Sequence, residues 1–125
     1  MNSCLIIIVL SILQYTLDPT IYICPTIRSK TILFLHHIIS IYVTFGAFLL
    51  NPLHHIIFCL TLLFHWTYNG NRCELTLITN RECGIDESHV FKDYLQTLGI
   101  SSRFPNVHWY LLPTLILIDL YRIYK

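Results

Sequence analysis

The feature that most constrains the fold is an uncharged segment of 41 residues, from Thr31 to Asn71. It contains no Asp, Glu, Lys or Arg, and a helix of about 20 apolar residues already crosses the hydrocarbon core of a bilayer. The segment is therefore long enough for two helices. Asn51-Pro52 lies at its centre, and a proline ends one helix and can begin the next. The sequence predicts an antiparallel hairpin with spans over residues 31–50 and 53–68.

Two further apolar segments flank this hairpin. Residues 4–17 carry no charge and end at Asp18-Pro19. A cleaved signal peptide is the alternative for this segment, but it lacks a basic start and a small-residue cleavage site, which favours a retained span. Residues 107–124 form the last segment and have aromatic residues at both ends, as expected at the two membrane interfaces. We predict an all-α integral membrane protein, a single-domain four-helix bundle over residues 1–125.

Charge is scarce in the chain and unevenly placed. Only 12% of the residues are charged, against about 25% in a soluble domain, which argues against an ordinary soluble domain, a disordered tail and a basic nucleic-acid binder. Nine of the fifteen charges lie in residues 72–103, within a loop over residues 69–106. Residues 88–98 have helical apolar spacing and predict a short amphipathic helix that stops at Gly99. Basic residues are more numerous on the loop side, so the positive-inside rule predicts a cytosolic loop and both termini on the opposite side.

Five of the seven histidines lie inside the uncharged hairpin. Ionisable residues within a span are costly and therefore face other protein groups. His37 and His65 are equally far from Asn51 along the chain, as Ser40 and Thr61 nearly are, so the hairpin would bring these pairs to similar depths. Hydrogen bonds between such spans are each worth about 0.6 to 2 kcal/mol. This polar spine predicts a structural role for the histidines.

A metal or haem site is the alternative role for the histidines on the loop side. Imidazoles from facing helices of a bundle can bind zinc, iron or haem. The sequence contains no His-x-x-x-His, His-Glu-x-x-His or Cys-x-x-Cys-His motif, so no cofactor is favoured. The candidate ligands are His36, His37, His65 and His108.

A second polar cluster is predicted at the opposite end of the bundle. Asp119 and Arg122 are one helical turn apart near the end of the last span, at the depth of the hairpin turn that carries His54 and His55. The structural interpretation is an ion pair that reaches the interface, with one histidine as a third partner. The functional interpretation is a proton or ion relay.

The five cysteines divide between the spans and the loop. Cys4, Cys24 and Cys59 lie in or near spans and are interpreted as small apolar residues. Cys73 and Cys83 in the long loop are the only candidate pair for a disulfide or a metal. A cytosolic loop would make a stable disulfide unfavourable.

One further pattern is carried by Trp66, Asn71, Cys73, Leu75, Thr76 and Asn80. With these residues, the stretch over residues 33–98 resembles small four-span membrane proteins of unknown function encoded by large (giant) DNA viruses. It is more distantly similar to a bacterial family of small membrane proteins, also of unknown function, that has a His-bearing span followed by a Cys-Pro-Leu-Thr segment. Glu74 replaces the proline of that segment in this chain. The resemblance implies that the segment and the end of the preceding span form one local unit, in which Thr76 is the predicted N-cap of a helix over residues 77–80.

No phosphate-binding glycine loop, nucleophile elbow or intramembrane carboxylate pair is present, so an enzymatic function is not favoured. We expect a non-enzymatic multi-pass protein with a structural or interaction role in a viral or host membrane. Its expected partners are the lipid bilayer and possible self-association or other membrane proteins, with no nucleic acid. The alternatives are a metal- or haem-binding bundle with redox or enzymatic activity, and a small proton or ion conductor.

Overall fold

The computed structural model describes residues 2–86, 95, 98–104 and 106–125 of the chain. These residues form helices joined by short connections, and no strand occurs among them, which confirms the predicted all-α class. A short 3₁₀ segment, Pro19–Tyr22, follows the first helix. The helices are α1 (Ser3–Leu17), α2 (Ile27–Leu49), α3 (Pro52–Tyr68), α4 (Glu74–Glu82), α5 (Ile100–Arg103) and α6 (Val107–Tyr124).

Local side-chain chemistry determines where the hairpin helices begin. The Thr26 hydroxyl accepts a hydrogen bond from the backbone N–H of Ser29, and this capping box starts α2 four residues before the predicted Thr31. The Asn51 side chain accepts from the backbone N–H groups of Leu53 and His54, so it caps α3, which has Pro52 in its first turn. The predicted hairpin about Asn51 is confirmed.

Helix α2 is at the centre of the bundle. It packs against α1, α3, α4 and α6, and α3 also packs against α6. The largest apolar core lies between α2, α3 and α6 and includes Ala47, Cys59, Trp66 and Leu112. A smaller core around Leu33 joins the start of α2 to the end of α4. Helix α1 therefore contacts the hairpin through α2, whereas α6 contacts both α2 and α3.

The exterior of the bundle is apolar, while many of its buried side chains are polar. Leu and Ile side chains of α1 and α3 are about half exposed, as are Phe48 of α2 and Leu117 of α6. By contrast, the buried polar residues include Ser11, Gln14, His36, His37, His55, Thr76, Thr79, Asn80, His108 and Asp119.

One helix of the described residues, α2, is long and apolar enough to cross a membrane. It has 23 residues and a mean hydropathy of 1.9, whereas the apolar α1 is shorter, at 15 residues. At 1.5 Å per residue α2 is about 35 Å long, which exceeds the roughly 30 Å of a bilayer core.

Two predictions about the loop have different outcomes. The predicted N-cap at Thr76 is wrong, because α4 begins at Glu74 with Cys73 in the cap position. The Thr76 side chain lies inside the helix and pairs with His36 instead. The predicted amphipathic helix over residues 88–98 lies almost entirely outside the described residues. Gly99, its predicted stop, has a φ of 73°, a conformation that favours glycine.

Candidate functional site

His55, Asp119 and Arg122 form a polar cluster near the turn between α2 and α3. His55 and Asp119 are completely buried, and His55 Nδ1 lies 2.5 Å from Asp119 Oδ2. His55 Nε2–H donates to the Val43 carbonyl oxygen at 2.8 Å. The guanidinium of Arg122 lies 3.8 Å from Asp119 Oδ1. This cluster connects all three helices of the main core, because Val43 is on α2, His55 on α3 and Asp119 on α6.

Arg122 also completes the end of α2. One guanidinium nitrogen donates to the carbonyl oxygens of Ala47 and Leu50, at 2.5 and 3.1 Å. These carbonyls lie at the C-terminal end of α2. Carbonyl groups at a helix C-terminus have no hydrogen-bond donor within the helix and carry partial negative charge. The structure therefore brings together three of the four residues predicted for this cluster. The fourth, His54, is exposed.

Gly46 makes room for the His55 ring. A Cβ atom built on Gly46 would lie 2.5 Å from His55 Cδ2 and 2.9 Å from His55 Nε2. Real side chains do not tolerate such distances, so only glycine allows α2 and the imidazole to approach this closely. The sequence analysis did not identify this role, although a single glycine within a long apolar helix is a signal of close packing.

A second buried histidine–carboxylate pair joins α2 to the connection after α1. His37 Nε2 lies 2.9 Å from Asp18 Oδ2, and the other carboxylate oxygen accepts from the backbone N–H of Thr20 at 2.8 Å. Burial raises the pKa of Asp18, but the hydrogen bonds from His37 and Thr20 and the charge of His37 outweigh burial and lower this pKa to about 2. Asp18 is not among the predicted site residues, because the sequence marks it only as the end of the first apolar segment.

The predicted polar spine within the hairpin is wrong. His37 points to Asp18 rather than to His65, and Thr61 is exposed, with its hydroxyl donating to the Ile57 carbonyl in its own helix. The buried histidines instead connect the hairpin to elements outside it. The pairing of depths could not reveal this, because equal depth on two helices does not fix which face each helix presents.

The four predicted metal ligands have different surroundings. His36 Nε2 pairs with the Thr76 hydroxyl at 3.1 Å, and His65 Nε2 accepts from the backbone N–H of Glu74 at 3.3 Å. His108 is buried with its ring against Trp66. Within the residues that the structure describes, no three His, Cys, Asp or Glu side chains are grouped so that they could hold a metal ion.

A small cavity lies between α2, α3 and α6. Its volume is about 50 Å³, and its lining includes His36, Trp66, Cys73 and His108. Trp66 and Cys73 belong to the main core, and Leu75 packs against it. This packing agrees with the local unit that the family resemblance implies. Of the other motif residues, Asn80 is fully buried, and Asn71 has a positive φ of 63°.

A disulfide joins Cys24, before α2, to Cys83, at the end of α4. The predicted pair of Cys73 and Cys83 is therefore wrong, as is the interpretation of Cys24 as a small apolar residue. Cys73 is buried and free. The two cysteines are 59 residues apart, so their spacing in the sequence does not indicate that they pair. The pairing arises because the α2–α3 hairpin returns the chain to the start of α2, where α4 packs.

No known protein family, curated protein or solved structure matches this chain. The two histidine–carboxylate pairs are the chemically most distinct groups among the described residues, and both are buried in a bundle whose exterior is apolar.

Proposed function

We propose that the chain is a non-enzymatic multi-pass membrane protein with a structural or interaction role, in which α1, α2, α3 and α6 are the spans. The observation that carries the proposal is the arrangement of polarity. Large apolar side chains are exposed on all four helices, whereas ionisable side chains are buried between them. Soluble monomers rarely expose large apolar patches, so this arrangement is typical of a bundle that is surrounded by lipid.

The lengths of the other three helices are compatible with spans. At 1.5 Å per residue, the 15 residues of α1 reach about 22 Å, and the 17 and 18 residues of α3 and α6 reach about 26 and 27 Å. Short spans are accommodated by local thinning of the bilayer at a modest cost per ångström. Four spans would place both termini on the same side. The resemblance to viral proteins suggests a viral or host membrane as the site of action.

The disulfide supports the opposite orientation from the one that the basic residues predict. Stable disulfides persist in oxidising compartments and are rare in the cytosol. Cys24 and Cys83 lie on the side of the bundle that carries the long loop. A covalent bond is a stronger indication of compartment than a statistical excess of basic residues, so we place the loop outside the cytosol and both termini inside it.

Integration and orientation can be tested together by translation in the presence of microsomes. The same glycosylation tag is inserted after the exposed Asp86 in one variant and appended after Lys125 in a matched control. We expect both proteins to resist alkaline carbonate extraction and only the loop tag to be glycosylated. Release into the carbonate supernatant would contradict the membrane assignment, and glycosylation of the terminal tag alone would contradict the orientation.

A further inference from the structure

We propose that His55 and Asp119 form a proton-binding site inside the bundle, which holds one exchangeable proton between His55 Nδ1 and Asp119 Oδ2. The proton would fix the C-terminal end of α6 to the α2–α3 hairpin. This inference goes beyond the membrane role, because it concerns a ligand and a site that can be measured in detergent whichever way the chain is oriented.

Counting hydrogen-bond donors shows why a proton is needed. The Val43 carbonyl oxygen can only accept, so its 2.8 Å contact requires a hydrogen on His55 Nε2. A neutral imidazole that carries this hydrogen has a bare lone pair on Nδ1. That lone pair would face a carboxylate oxygen of Asp119 across 2.5 Å. Two acceptors do not approach so closely unless a second proton lies between them, whether it resides on the imidazole or on the carboxyl group.

The surroundings keep this proton exchangeable. Loss of the proton would leave two lone pairs in contact in a dry interior, which favours its retention. Retention leaves the Arg122 cation without a net counter-charge, since the protonated pair is neutral overall, and this favours its release. Among the residues that the structure describes, the other titratable groups against the pair are the Cys59 thiol, 3.6 Å from His55 Nε2, and the Tyr42 ring, 5.7 Å from the imidazole. Both are neutral at physiological pH, so Arg122 is the charge that opposes the proton.

The proton would link pH to helix packing. The His55–Asp119 contact and the bonds from Arg122 to the end of α2 all act on the same end of α6. If the proton leaves, the first contact becomes repulsive while the Arg122 bonds remain. Before that release the folded state binds a proton that the unfolded chain does not, so its stability falls as the pH rises through the step at which the proton is released.

Histidine side-chain ¹⁵N spectra of the full chain in micelles test the site directly, with infrared detection of any protonated carboxyl group. The ¹⁵N signals of His55 are assigned as those that disappear in the His55→Gln variant. At neutral pH we expect either a proton on Nδ1 or a carboxylic acid at Asp119, and we expect that proton to leave in one step as the pH rises. In Asp119→Asn we expect a bare Nδ1 and no step. His54→Gln, the adjacent and exposed histidine, is the matched control and should leave the step unchanged.

A wild-type protein with a bare Nδ1 and an ionised carboxylate at neutral pH would overturn the proposal. A titration step that persists in Asp119→Asn would do the same, because the proton would then belong to another group. A second measurement does not depend on the fold of the variants. The unfolding free energy of the wild type in mixed micelles should decrease across the same pH step, and a stability that is flat across the step would also refute the linkage.

Discussion

Replacing Gly46 with alanine adds one Cβ atom next to the buried cluster of His55 and Asp119. The new Cβ would lie 2.5 Å from the His55 ring, about 1 Å inside ordinary van der Waals contact. Helices α2 and α3 also meet in the main core through Val43, Ala47, Cys59 and Trp66, so the imidazole side chain can move more easily than either backbone. To move away by about 1 Å, it must lose both its bond to the Val43 carbonyl and its contact with Asp119.

The size of the effect follows from those two contacts. Each hydrogen bond between helices in lipid is worth about 0.6 to 2 kcal/mol, so losing both costs roughly 1 to 4 kcal/mol. Alanine is favoured over glycine within a helix by about 1 kcal/mol, which offsets part of this loss. We therefore expect Gly46→Ala to destabilise the protein by up to about 3 kcal/mol, the difference between these two contributions.

A double-mutant cycle separates the contact with the ring from other effects of the substitution. The assay is reversible unfolding in mixed micelles, with helicity as the readout. In a His55→Ala background the ring is absent, so Gly46→Ala should be neutral or stabilising by up to about 1 kcal/mol, as propensity alone dictates. If Gly46→Ala costs the same in both backgrounds, the reasoning is refuted, because the cost would not arise from the imidazole.

Two further predictions concern the loop side of the bundle. Replacing Cys24 or Cys83 with serine should abolish the mobility difference between reduced and non-reduced protein on gels and lower stability by about 2 to 4 kcal/mol, since the bond closes a long loop. Cys73→Ser should preserve the mobility difference, and its loss in that variant would contradict the pairing. Stability should also decrease as the pH falls from about 4 towards 2, because the pKa of Asp18 is lowered in the folded state from 3.8 to about 2. The contribution is fully present above the ordinary pKa, is lost as Asp18 becomes protonated, and is on the order of 2 kcal/mol. Asp18→Asn should remove this acid dependence, and an unchanged profile in that variant would show that other carboxylates cause it.

The sequence predicts the helices of this chain well because their signals are local. The absence of charge, the proline after Asn51 and the aromatic ends of the last segment each act within a few residues. Helix α6 has the predicted bounds, and α3 begins one residue earlier than predicted. The cluster around Asp119 could also be predicted from the sequence. A single acidic residue within an apolar segment needs a nearby partner, and the predicted hairpin turn carries two histidines at the same depth.

The contacts that could not be predicted depend on how each helix is rotated about its axis and on which distant segments of the chain pack together. Whether His54 or His55 meets Asp119 depends on how α3 is rotated about its axis, and adjacent positions on a helix differ by about 100°. Cys24 meets Cys83 only because α4 folds back over the start of α2. The sequence marks Asp18 only as the end of the first apolar segment, whereas in the structure its carboxylate contacts His37 and the 3₁₀ segment that follows it.

The two histidine–carboxylate pairs explain how such an apolar chain could specify one arrangement of helices. In lipid, apolar faces gain little from meeting each other, because the acyl chains are equally apolar. A buried carboxylate, however, is costly anywhere except beside its partner. Asp18 therefore fixes α1 to α2 near the loop side, and Asp119 fixes α6 to α3 at the opposite end. Exchanging the places of α1 and α6 would leave both carboxylates and both histidines without partners, so the pairs select against that alternative bundle while the apolar surfaces do not distinguish it.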